Sequence, residues 1–390
     1  MIPRTLIHHM RKMAEKFPII TLTGPRQSGK TTILKEYFKD YSYFNMERMD
    51  YRTLFLSDPI GFLNTQGNKV IFDEAQRVPE LFGYLQAISD ERGTAGQYIL
   101  SGSQSFLMNE HISQSLAGRV SVNHLLPFDI TELDNHSTGD YRNLIITGFY
   151  PRIYNMNIAP EHFYPSYLQT YIERDVRTLK NIDDLHSFSK FLALCAGRIG
   201  QVLNMTALAN DAGITVNTIK AWLSVLEASY VIYLLQPYYQ NFNKRLIKSP
   251  KLYFYDTGVA CSLLRISNPE TLNMHYMYGS LFENLVITEL RKRLFHAGIY
   301  PSMYYWRESN GTEIDCLIEL ENRLAVIEIK GSQTFSKDFL KNLNTFPNYS
   351  EHTGTIDKYL IYTGDVSTKT GDVNILSWND FKNKTCMEKF

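Results

Sequence analysis

The chain has 390 residues, of which 44% are hydrophobic and 21% charged, and its 40 lysines and arginines balance 40 aspartates and glutamates. A net charge of zero argues against a protein that coats nucleic acid through bulk charge, although it leaves local basic patches open. The length exceeds that of one typical core, so two to four domains are expected.

Targeting signals are sparse in this sequence. The N-terminal segment lacks the continuous apolar core of a signal peptide, and no stretch approaches the ~20 apolar residues that span a bilayer. The cysteines are scattered without a CxxC pair, which fits a reducing cytoplasm and gives no thiolate zinc site. We therefore expect a cytoplasmic protein with no membrane partner. The four cysteines are Cys195, Cys261, Cys316 and Cys386.

The first motif follows a predicted apolar strand, residues 19–23, and precedes a helical pattern. It reads G-x-x-x-x-G-K-T, a phosphate-binding loop in the context that such a loop requires. Its glycines let backbone N–H groups wrap phosphates, and the helix N-terminus adds the positive end of its dipole. Lys30 would reach the β- and γ-phosphates of ATP, and the Thr31 hydroxyl would ligate Mg²⁺. The candidate nucleotide-binding residues are Gly24, Pro25, Arg26, Gln27, Ser28, Gly29, Lys30, Thr31 and Thr32.

A second predicted strand ends in Asp73 and Glu74. Asp73 suits the magnesium shell of the nucleotide site, and Glu74 suits the base that orients the attacking water. An Asp-Glu pair after an apolar strand is common by chance. Downstream of a phosphate loop, it indicates ATP hydrolysis rather than binding alone.

A third predicted strand ends in Ser101-Gly102-Ser103, where Ser103 would lie beside the nucleotide and sense its γ-phosphate. A predicted helix over residues 105–117 then leads to Arg119 and a further strand. Arg119 suits an arginine finger, or equally a C-terminal arginine that complements the helix dipole. The sequence leaves these two roles open.

The order of these motifs resembles the AAA-type branch of the P-loop ATPases. More narrowly, it resembles a bacterial and archaeal ATPase family with a poorly characterised C-terminal region. The segments GPRQSGKTT, IFDEAQ, LSGSQS, SLAGR and YIERDV look typical of that family. The resemblance also marks Arg174 and Asp175 without assigning them a mechanism, and a surface ion pair is the alternative for these two residues.

The middle of the chain is predicted to be helical. Residues 140–180 would form a small lid, broken by Tyr and Pro residues into short pieces. A helix closed by Gly213 and a second helix with Thr215 as N-cap then resemble a helix-turn-helix, and the apolar strand that follows favours a winged helix. Packing against neighbouring domains, or assembly, is the alternative role.

In a DNA-binding version, the second helix of this pair would enter the major groove. Its exposed candidate residues are Asn217, Thr218 and Lys220. A basic group beyond the strand suits phosphate contacts and consists of Lys244, Arg245, Lys248 and Lys251.

The C-terminal third begins with a predicted amphipathic helix that Gly298 closes. A strand follows, and then a hairpin whose strands run from Glu313 to Leu320 and from Arg323 to Lys330, joined by a two-residue turn. This turn places Asp315 opposite Glu328, and Glu313 opposite Lys330, all on one face. Directly opposed carboxylates are destabilising and need compensation by a divalent cation, by solvent or by the nearby lysine.

The order helix, strand, strand with Asp, strand with Glu-x-Lys, helix resembles the core of the PD-(D/E)xK nuclease fold. The matching positions are Glu283, Asp315, Glu328 and Lys330. The resemblance implies that the three carboxylates are metal candidates, with Asp315 and Glu328 holding Mg²⁺, and that Lys330 positions or deprotonates the attacking water. The alternative is a Glu313–Lys330 salt bridge beside two solvated carboxylates, which is worth only ~0–1 kcal/mol.

The predicted fold is α/β, with a P-loop NTPase core of the AAA type on a parallel sheet (1–138) and a helical lid (139–182). A winged-helix-like domain (183–255) and a PD-(D/E)xK nuclease-like domain (256–390) follow. The leading hypothesis is an ATPase that uses ATP and Mg²⁺ and is coupled to DNA or RNA. Its competitor is a nucleotide switch whose C-terminal region binds a protein or DNA without cleavage. Self-association stays open.

Overall fold

The computed structural model describes residues 2–103, 108, 112, 115–133, 139–171, 184–238, 249–308, 311–348, 350 and 352–383. The chain divides into two compact units, which are described separately. Unit 1 comprises Met1–Phe128, Ala228–Tyr230 and Lys292–Tyr300. Unit 2 comprises Asp129–Glu227, Val231–Arg291 and Pro301–Phe390.

Unit 1 contains a five-stranded parallel sheet. Its strands are β1 (Ile19–Thr23), β2 (Ser42–Asn45), β3 (Val70–Asp73), β4 (Tyr98–Gly102) and β5 (Val120–His124). They lie in the order β2-β3-β4-β1-β5. Every residue of β1, β3 and β4 is buried, as continuous apolar runs predict for strands covered on both faces. Because the strands are parallel, the residues that follow β1, β3 and β4 meet at one edge of the sheet.

Helices cover both faces of this sheet and enclose two apolar cores. They are α1 (Leu6–Ala14), α2 (Lys30–Tyr37), α3 (Met49–Ser57), α4 (Pro59–Gln66) and α5 (Glu80–Arg92). Consecutive residues of a strand pack into different cores, because their side chains point to opposite faces of the sheet. In β3, Phe72 packs with Phe55 and Leu85 from α3 and α5, while Ile71 packs with Leu6 and Leu34 from α1 and α2.

The first part of unit 2 is helical, as predicted. Among its described residues, one helix precedes the region expected to form the lid, three lie within that region and three more follow it. These helices are α6 (Ile130–Leu133), α7 (Tyr141–Thr147), α8 (Pro151–Met156), α9 (Pro160–Tyr171), α10 (Leu185–Ala196), α11 (Met205–Ala212) and α12 (Val216–Ala228). The predicted helix boundaries are confirmed: Gly213 has a φ of 76° directly after α11, and Thr215 Oγ1 accepts a hydrogen bond from the backbone N–H of Thr218 at 3.1 Å.

An antiparallel strand pair and three further helices connect this region to the second sheet. The strands are β6 (Ile232–Leu235) and β7 (Lys251–Phe254), and the helices are α13 (Thr257–Leu263), α14 (Pro269–Met274) and α15 (Tyr278–His296). The last five residues of α15 belong to unit 1. Among the described residues, no helix combines the length and the apolarity needed to cross a bilayer.

The second sheet is mixed and has six strands in the order β12-β13-β11-β10-β9-β8. They are β8 (Met303–Arg307), β9 (Glu313–Leu320), β10 (Arg323–Lys330), β11 (Thr355–Tyr362), β12 (Thr368–Thr370) and β13 (Val373–Ser377). β8, β9 and β10 form an antiparallel meander, and β10 then pairs with β11 in parallel. The connection between β10 and β11 contains α16 (Lys341–Thr345), and α17 (Trp378–Lys382) follows β13.

The predicted hairpin is confirmed in its boundaries and its register. β9 and β10 begin and end where the sequence placed them, and Ile327 lies opposite Cys316 while Arg323 lies opposite Leu320. Glu321 at the turn has a φ of 31°.

The amphipathic character predicted for α15 is wrong in one respect, because several of its polar side chains are also buried. Asn284 donates to the carbonyl of Phe254 and accepts from its N–H, which closes the end of β7. The N–H of Ile130 donates one bifurcated hydrogen bond to the two carboxylate oxygens of Glu289, each at 3.1 Å. These polar groups escape the cost of burial because each finds a backbone partner.

Candidate functional site

The phosphate loop, residues 24–31, connects β1 to the first residues of α2. Several of its backbone conformations restrict which residue types can occupy them. Gly24 has a φ of 151°, and a Cβ there would lie 2.1 Å from the backbone oxygen of Leu125. Gln27 and Gly29 have φ values of 61° and 96°. Alternation between left- and right-handed residues makes concave backbone N–H sites for anions. Lys30 Nζ donates to the carbonyls of Gly24 at 2.9 Å and Pro25 at 2.8 Å, so its ammonium lies inside the curve of the loop.

The two predicted magnesium ligands of the nucleotide site, Thr31 and Asp73, are in direct contact. Asp73 Oδ2 accepts a hydrogen bond from Thr31 Oγ1 at 2.7 Å, which brings together two residues 42 positions apart. The same oxygen accepts from the Tyr43 hydroxyl at 2.5 Å, and Oδ1 accepts from the Ser101 hydroxyl. Desolvation, together with the hydrogen bond to Asp73, raises the pKa of Tyr43, so this hydroxyl remains a donor.

Glu74, the predicted base, follows directly and has strained backbone geometry. Its φ of 55° is left-handed, which costs a residue other than glycine on the order of 1–3 kcal/mol and often marks a functional site. Glu74 Oε2 accepts from Gln76 Nε2 at 2.6 Å and from Ser103 Oγ at 3.1 Å. Ser103, the predicted γ-phosphate sensor, therefore contacts the predicted base.

Arg119 lies just before β5 and pairs with Asp90 of α5. Its Nε is 2.5 Å and its Nη2 2.8 Å from the two carboxylate oxygens. The Arg119 side chain is 32% exposed. The finger and the helix-end roles both remain predictions.

The second candidate site lies in unit 2, and we call it the acidic cluster: the carboxylates of Glu283, Glu313, Asp315 and Glu328. Asp315 is 7% exposed and Glu328 is 1% exposed, so the alternative of two solvated carboxylates is wrong. The Glu313–Lys330 salt bridge of that alternative is wrong as well. Lys330 Nζ lies 2.7 Å from Glu328 Oε2 and 3.5 Å from Asp315 Oδ2.

Lys251 is the unexpected member of this site. Its Nζ lies 2.5 Å from Glu313 Oε1 and 3.2 Å from Glu283 Oε1, and its side chain is only 2% exposed. The prediction that Lys251 belongs to an exposed basic group for phosphate contacts is therefore wrong. Tyr253, two residues along β7, donates its hydroxyl to Glu283 Oε1 at 2.5 Å.

Burial and proximity shift the pKa values of this site in opposite directions. Desolvation, with repulsion from Asp315, raises the pKa of Glu328 well above its usual range. Desolvation likewise raises the pKa of Glu283, although Lys251 opposes it. For Asp315, desolvation is outweighed by attraction to Lys330 and Lys251, and the pKa is lowered.

One carboxylate oxygen of the cluster is left without a donor. Glu328 Oε1 is buried and accepts no hydrogen bond from any described group. A buried carboxyl oxygen normally has a hydrogen-bond partner or a cation. Within the described residues, no three carboxylates of the cluster place one oxygen each within 4.8 Å of one another. The arrangement therefore offers a pair of facing carboxylates, Asp315 and Glu328, rather than a ring of three.

Comparison with known proteins divides the chain into three matched segments. Residues 16–134 match the family model described as an AAA domain. Models described as domains of unknown function, DUF8612 and DUF4143, match residues 138–270 and 278–381. Residues 16–134 are thus an AAA-type P-loop ATPase domain. This confirms the predicted ATPase core, while the winged helix and the nuclease-like domain stay predictions.

Relatives and solved structures extend the similarity. Proteins of Mycobacterium tuberculosis and Mycobacterium bovis, both described as uncharacterized, are each 29% identical over 330 residues, which span 83% of this chain and 73% of theirs. A Walker-type ATPase of Pyrococcus abyssi is 14% identical and superposes with a TM-score of 0.43, covering 66% of this chain and 94% of that one.

Several predicted contacts lie outside the described residues, among them Arg174, Asp175, Lys244, Arg245 and Lys248. On α12, Asn217 and Lys220 are exposed and Thr218 is partly buried. Two of the predicted base-reading side chains are therefore on the surface.

Among the residues that the sequence missed are Tyr43 and Ser101 beside Asp73, and Lys251 in the acidic cluster. Ser101 stands at the tip of a predicted strand, which is a detectable signal, but its pairing with Asp73 is set by the register of the folded sheet. The other two had none in the local sequence, since nothing near Tyr43 or Lys251 indicates which distant carboxylate each will contact.

Proposed function

We propose that this protein is an ATPase whose nucleotide cycle controls metal-dependent cleavage of DNA or RNA. The ATPase half follows from the AAA-type domain and its phosphate loop. The cleavage half is carried by one observation, the buried Asp315–Glu328 pair with Lys330 hydrogen-bonded to Glu328 and ion-paired with Asp315.

In the ATPase domain, Thr31 and Asp73 would hold Mg²⁺, which neutralises charge on the β- and γ-phosphates. The Lys30 ammonium donates hydrogen bonds to the same phosphates. Glu74 accepts a proton from the water whose oxygen bonds to the γ-phosphorus, and the bond from that phosphorus to the bridging oxygen of ADP breaks. Ser103 bonds to Glu74, so a shift of Ser103 toward the γ-phosphate would reposition the base.

In the acidic cluster, the residues present fit a divalent cation. Asp315 and Glu328 offer hard oxygen ligands, and Glu328 Oε1 is buried without a hydrogen-bond donor. A bound Mg²⁺ or Mn²⁺ would supply Lewis-acid stabilisation of charge on the phosphate.

The protein's own part in cleavage would fall to Lys330. Its ammonium lies beside the two candidate metal ligands, Asp315 and Glu328, where it can donate a hydrogen bond to a non-bridging phosphate oxygen. A water oxygen forms a bond to phosphorus and releases a proton to solvent, the bond from phosphorus to the sugar oxygen breaks, and that oxygen takes up a proton from solvent as it leaves. Lys330 thus stabilises the negative charge that develops on the phosphate.

Support for a nucleic-acid substrate comes from α11 and α12, whose turn at Gly213 follows the predicted helix-turn-helix pattern. Asn217 and Lys220 are exposed on the second helix, where such folds contact a groove.

The test is cleavage of labelled single- and double-stranded DNA and RNA with Mg²⁺ or Mn²⁺, with and without ATP. We expect cleavage by the wild type and its loss in Lys330→Ala, with Lys337→Ala as a control on an exposed lysine of the same unit. Loss of cleavage in Lys30→Ala would show that ATP controls it. Cleavage that survives in Lys330→Ala would contradict the assignment.

A second function is favoured by the two lysines of the cluster, each of which already pairs with two of its four carboxylates. A nucleotide switch would use this region as a scaffold that binds DNA or a protein without cutting. Intact ATP turnover with no cleavage of any substrate, and nucleic-acid affinity unchanged in Asp315→Ala, would select this function.

A further inference from the structure

The acidic cluster contains more carboxylates than one metal ion needs. Glu313 is not among the positions that match the nuclease pattern, yet it shares Lys251 with Glu283. Arg307 Nη1 pairs with the other oxygen of Glu313 at 3.1 Å. With all groups ionised, four carboxylates face Lys251, Lys330 and Arg307, which leaves one net negative charge.

The two lysines divide the cluster into two parts. Lys330 donates a hydrogen bond to Glu328 and forms an ion pair with Asp315, the facing pair on the hairpin. Lys251 bonds to Glu283 and Glu313, and the Tyr253 hydroxyl occupies the same Glu283 oxygen that Lys251 contacts. One oxygen of Glu283, Oε1, is therefore held by two donors from β7, while Glu328 keeps a buried oxygen without a donor.

We propose that Lys251 takes the place of a second cation in the acidic cluster. The cluster then holds one divalent metal ion, at Asp315 and Glu328, and Glu283 is a ligand of the Lys251 ammonium instead of the metal. This rests on the proposed metal site of the hairpin. A tethered ammonium supplies a single positive charge with three donors, which suits Glu283 and Glu313 without the coordination demands of a metal. Lys251 is thus a positioning residue that orients Glu283 and Glu313.

The experiment counts Mn²⁺ bound to the full chain without nucleotide, by electron paramagnetic resonance of free Mn²⁺. Asp315→Asn identifies the ions that belong to the cluster. The wild type is expected to bind one ion that Asp315→Asn loses. Glu283→Gln, which keeps hydrogen bonds to Tyr253 and Lys251, should still bind this ion with an unchanged Kd.

Lys251→Met should bind one additional Mn²⁺ per chain, and Lys251→Arg should not. Lys251→Met should also unfold at a lower Tm than the wild type in EDTA, and Mn²⁺ should raise its Tm more than that of the wild type. Lys358→Met is the matched control, because Lys358 is a buried lysine of the six-stranded sheet that pairs with Asp372 at 2.7 Å, outside the cluster. It should bind the same single ion as the wild type.

Two ions lost from the wild type on Asp315→Asn, or a tenfold or greater loss of Mn²⁺ affinity in Glu283→Gln, would overturn the proposal even if Lys251→Met does not fold. One ion in Lys251→Met would also overturn it while leaving the metal site of the hairpin intact. Absence of any ion that depends on Asp315, in the wild type and in Lys251→Met, would instead overturn the metal site itself.

Discussion

The phosphate loop and the acidic cluster both bury lysines, but they hold them by different means. Lys30 donates to two backbone carbonyls of its own loop, five and six residues away. Lys251 is held by carboxylates on other elements, and its partner Glu283 is 32 residues away. The loop is a local structure whose lysine is available to a ligand. In the cluster, lysines and carboxylates compensate one another, so each charge also supports the fold.

This difference predicts that substitutions in the loop mainly reduce activity, whereas substitutions in the cluster also reduce stability. An isolated buried charge is costly, and removing one partner of a buried pair leaves the other uncompensated. Backbone carbonyls that lose a lysine can be satisfied by water at far lower cost.

The largest effect is expected at the loop. Lys30→Ala should reduce ATP turnover by about 10²–10³-fold, because it removes a charge aimed at the transferred phosphate. Phosphate release measures this loss. Lys39→Ala removes an exposed lysine just beyond α2 that pairs with Glu36, and it should leave turnover unchanged. Equal activity in the two variants would contradict the role of Lys30.

The next largest effect is expected on stability in the cluster. Asp315→Asn should lower the free energy of unfolding by about 3 kcal/mol, because Lys330 and Lys251 lose a buried counter-charge. Urea titration without metal measures it. Asp372→Asn removes a 67% exposed partner of Lys358 and should cost only ~0–1 kcal/mol. Similar losses in both variants would mean that the cluster does not depend on charge compensation.

A smaller effect is expected at the hydroxyl groups that surround Asp73. Tyr43→Phe should raise the Mg²⁺ concentration required for half-maximal ATP turnover by roughly tenfold, because loss of a residue that hydrogen-bonds to a metal ligand commonly weakens metal binding by this amount. A magnesium titration of turnover measures this shift. Tyr41→Phe, whose hydroxyl bonds to the carbonyl of Gly96 instead, should leave the requirement unchanged. An unaltered requirement in Tyr43→Phe would show that its bond does not orient Asp73.

The smallest effect on stability is expected at Arg119. Arg119→Ala should leave the free energy of unfolding nearly unchanged, since solvent screens its surface pair with Asp90. Denaturant titration measures this change. ATP turnover then separates the two predicted roles: lost turnover that returns on mixing with Lys30→Ala identifies a finger acting on a second copy of the chain. Full turnover in Arg119→Ala would leave the helix-end role.

The predictions that held depend on short stretches of chain. The phosphate loop is specified within one strand, one turn and one helix. The register of β9 and β10 follows from a two-residue turn, and this alone places Asp315 across from Glu328. The end of α11 at Gly213 and the start of α12 after Thr215 follow from local capping rules.

The predictions that failed concern partners distant in the chain. Lys330 was weighed as the partner of Glu313, because the register of the hairpin places these two residues opposite one another. In the folded protein, Lys251 on β7 and Arg307 on β8 both form ion pairs with Glu313. Burial of the polar side chains of α15 escaped prediction for the same reason, since Asn284 and Glu289 meet backbone groups of other elements.

The sequence by itself determined the phosphate loop, the Asp73-Glu74 pair and the hairpin, because turn chemistry and side-chain alternation act over fewer than about ten residues. Only the tertiary structure decided which groups compensate the carboxylates: Tyr43 and Ser101 for Asp73, and Lys251 for Glu283 and Glu313. A buried charge pairs with the nearest opposite charge in space, because the Coulomb energy depends on their separation in space and not on their separation along the chain.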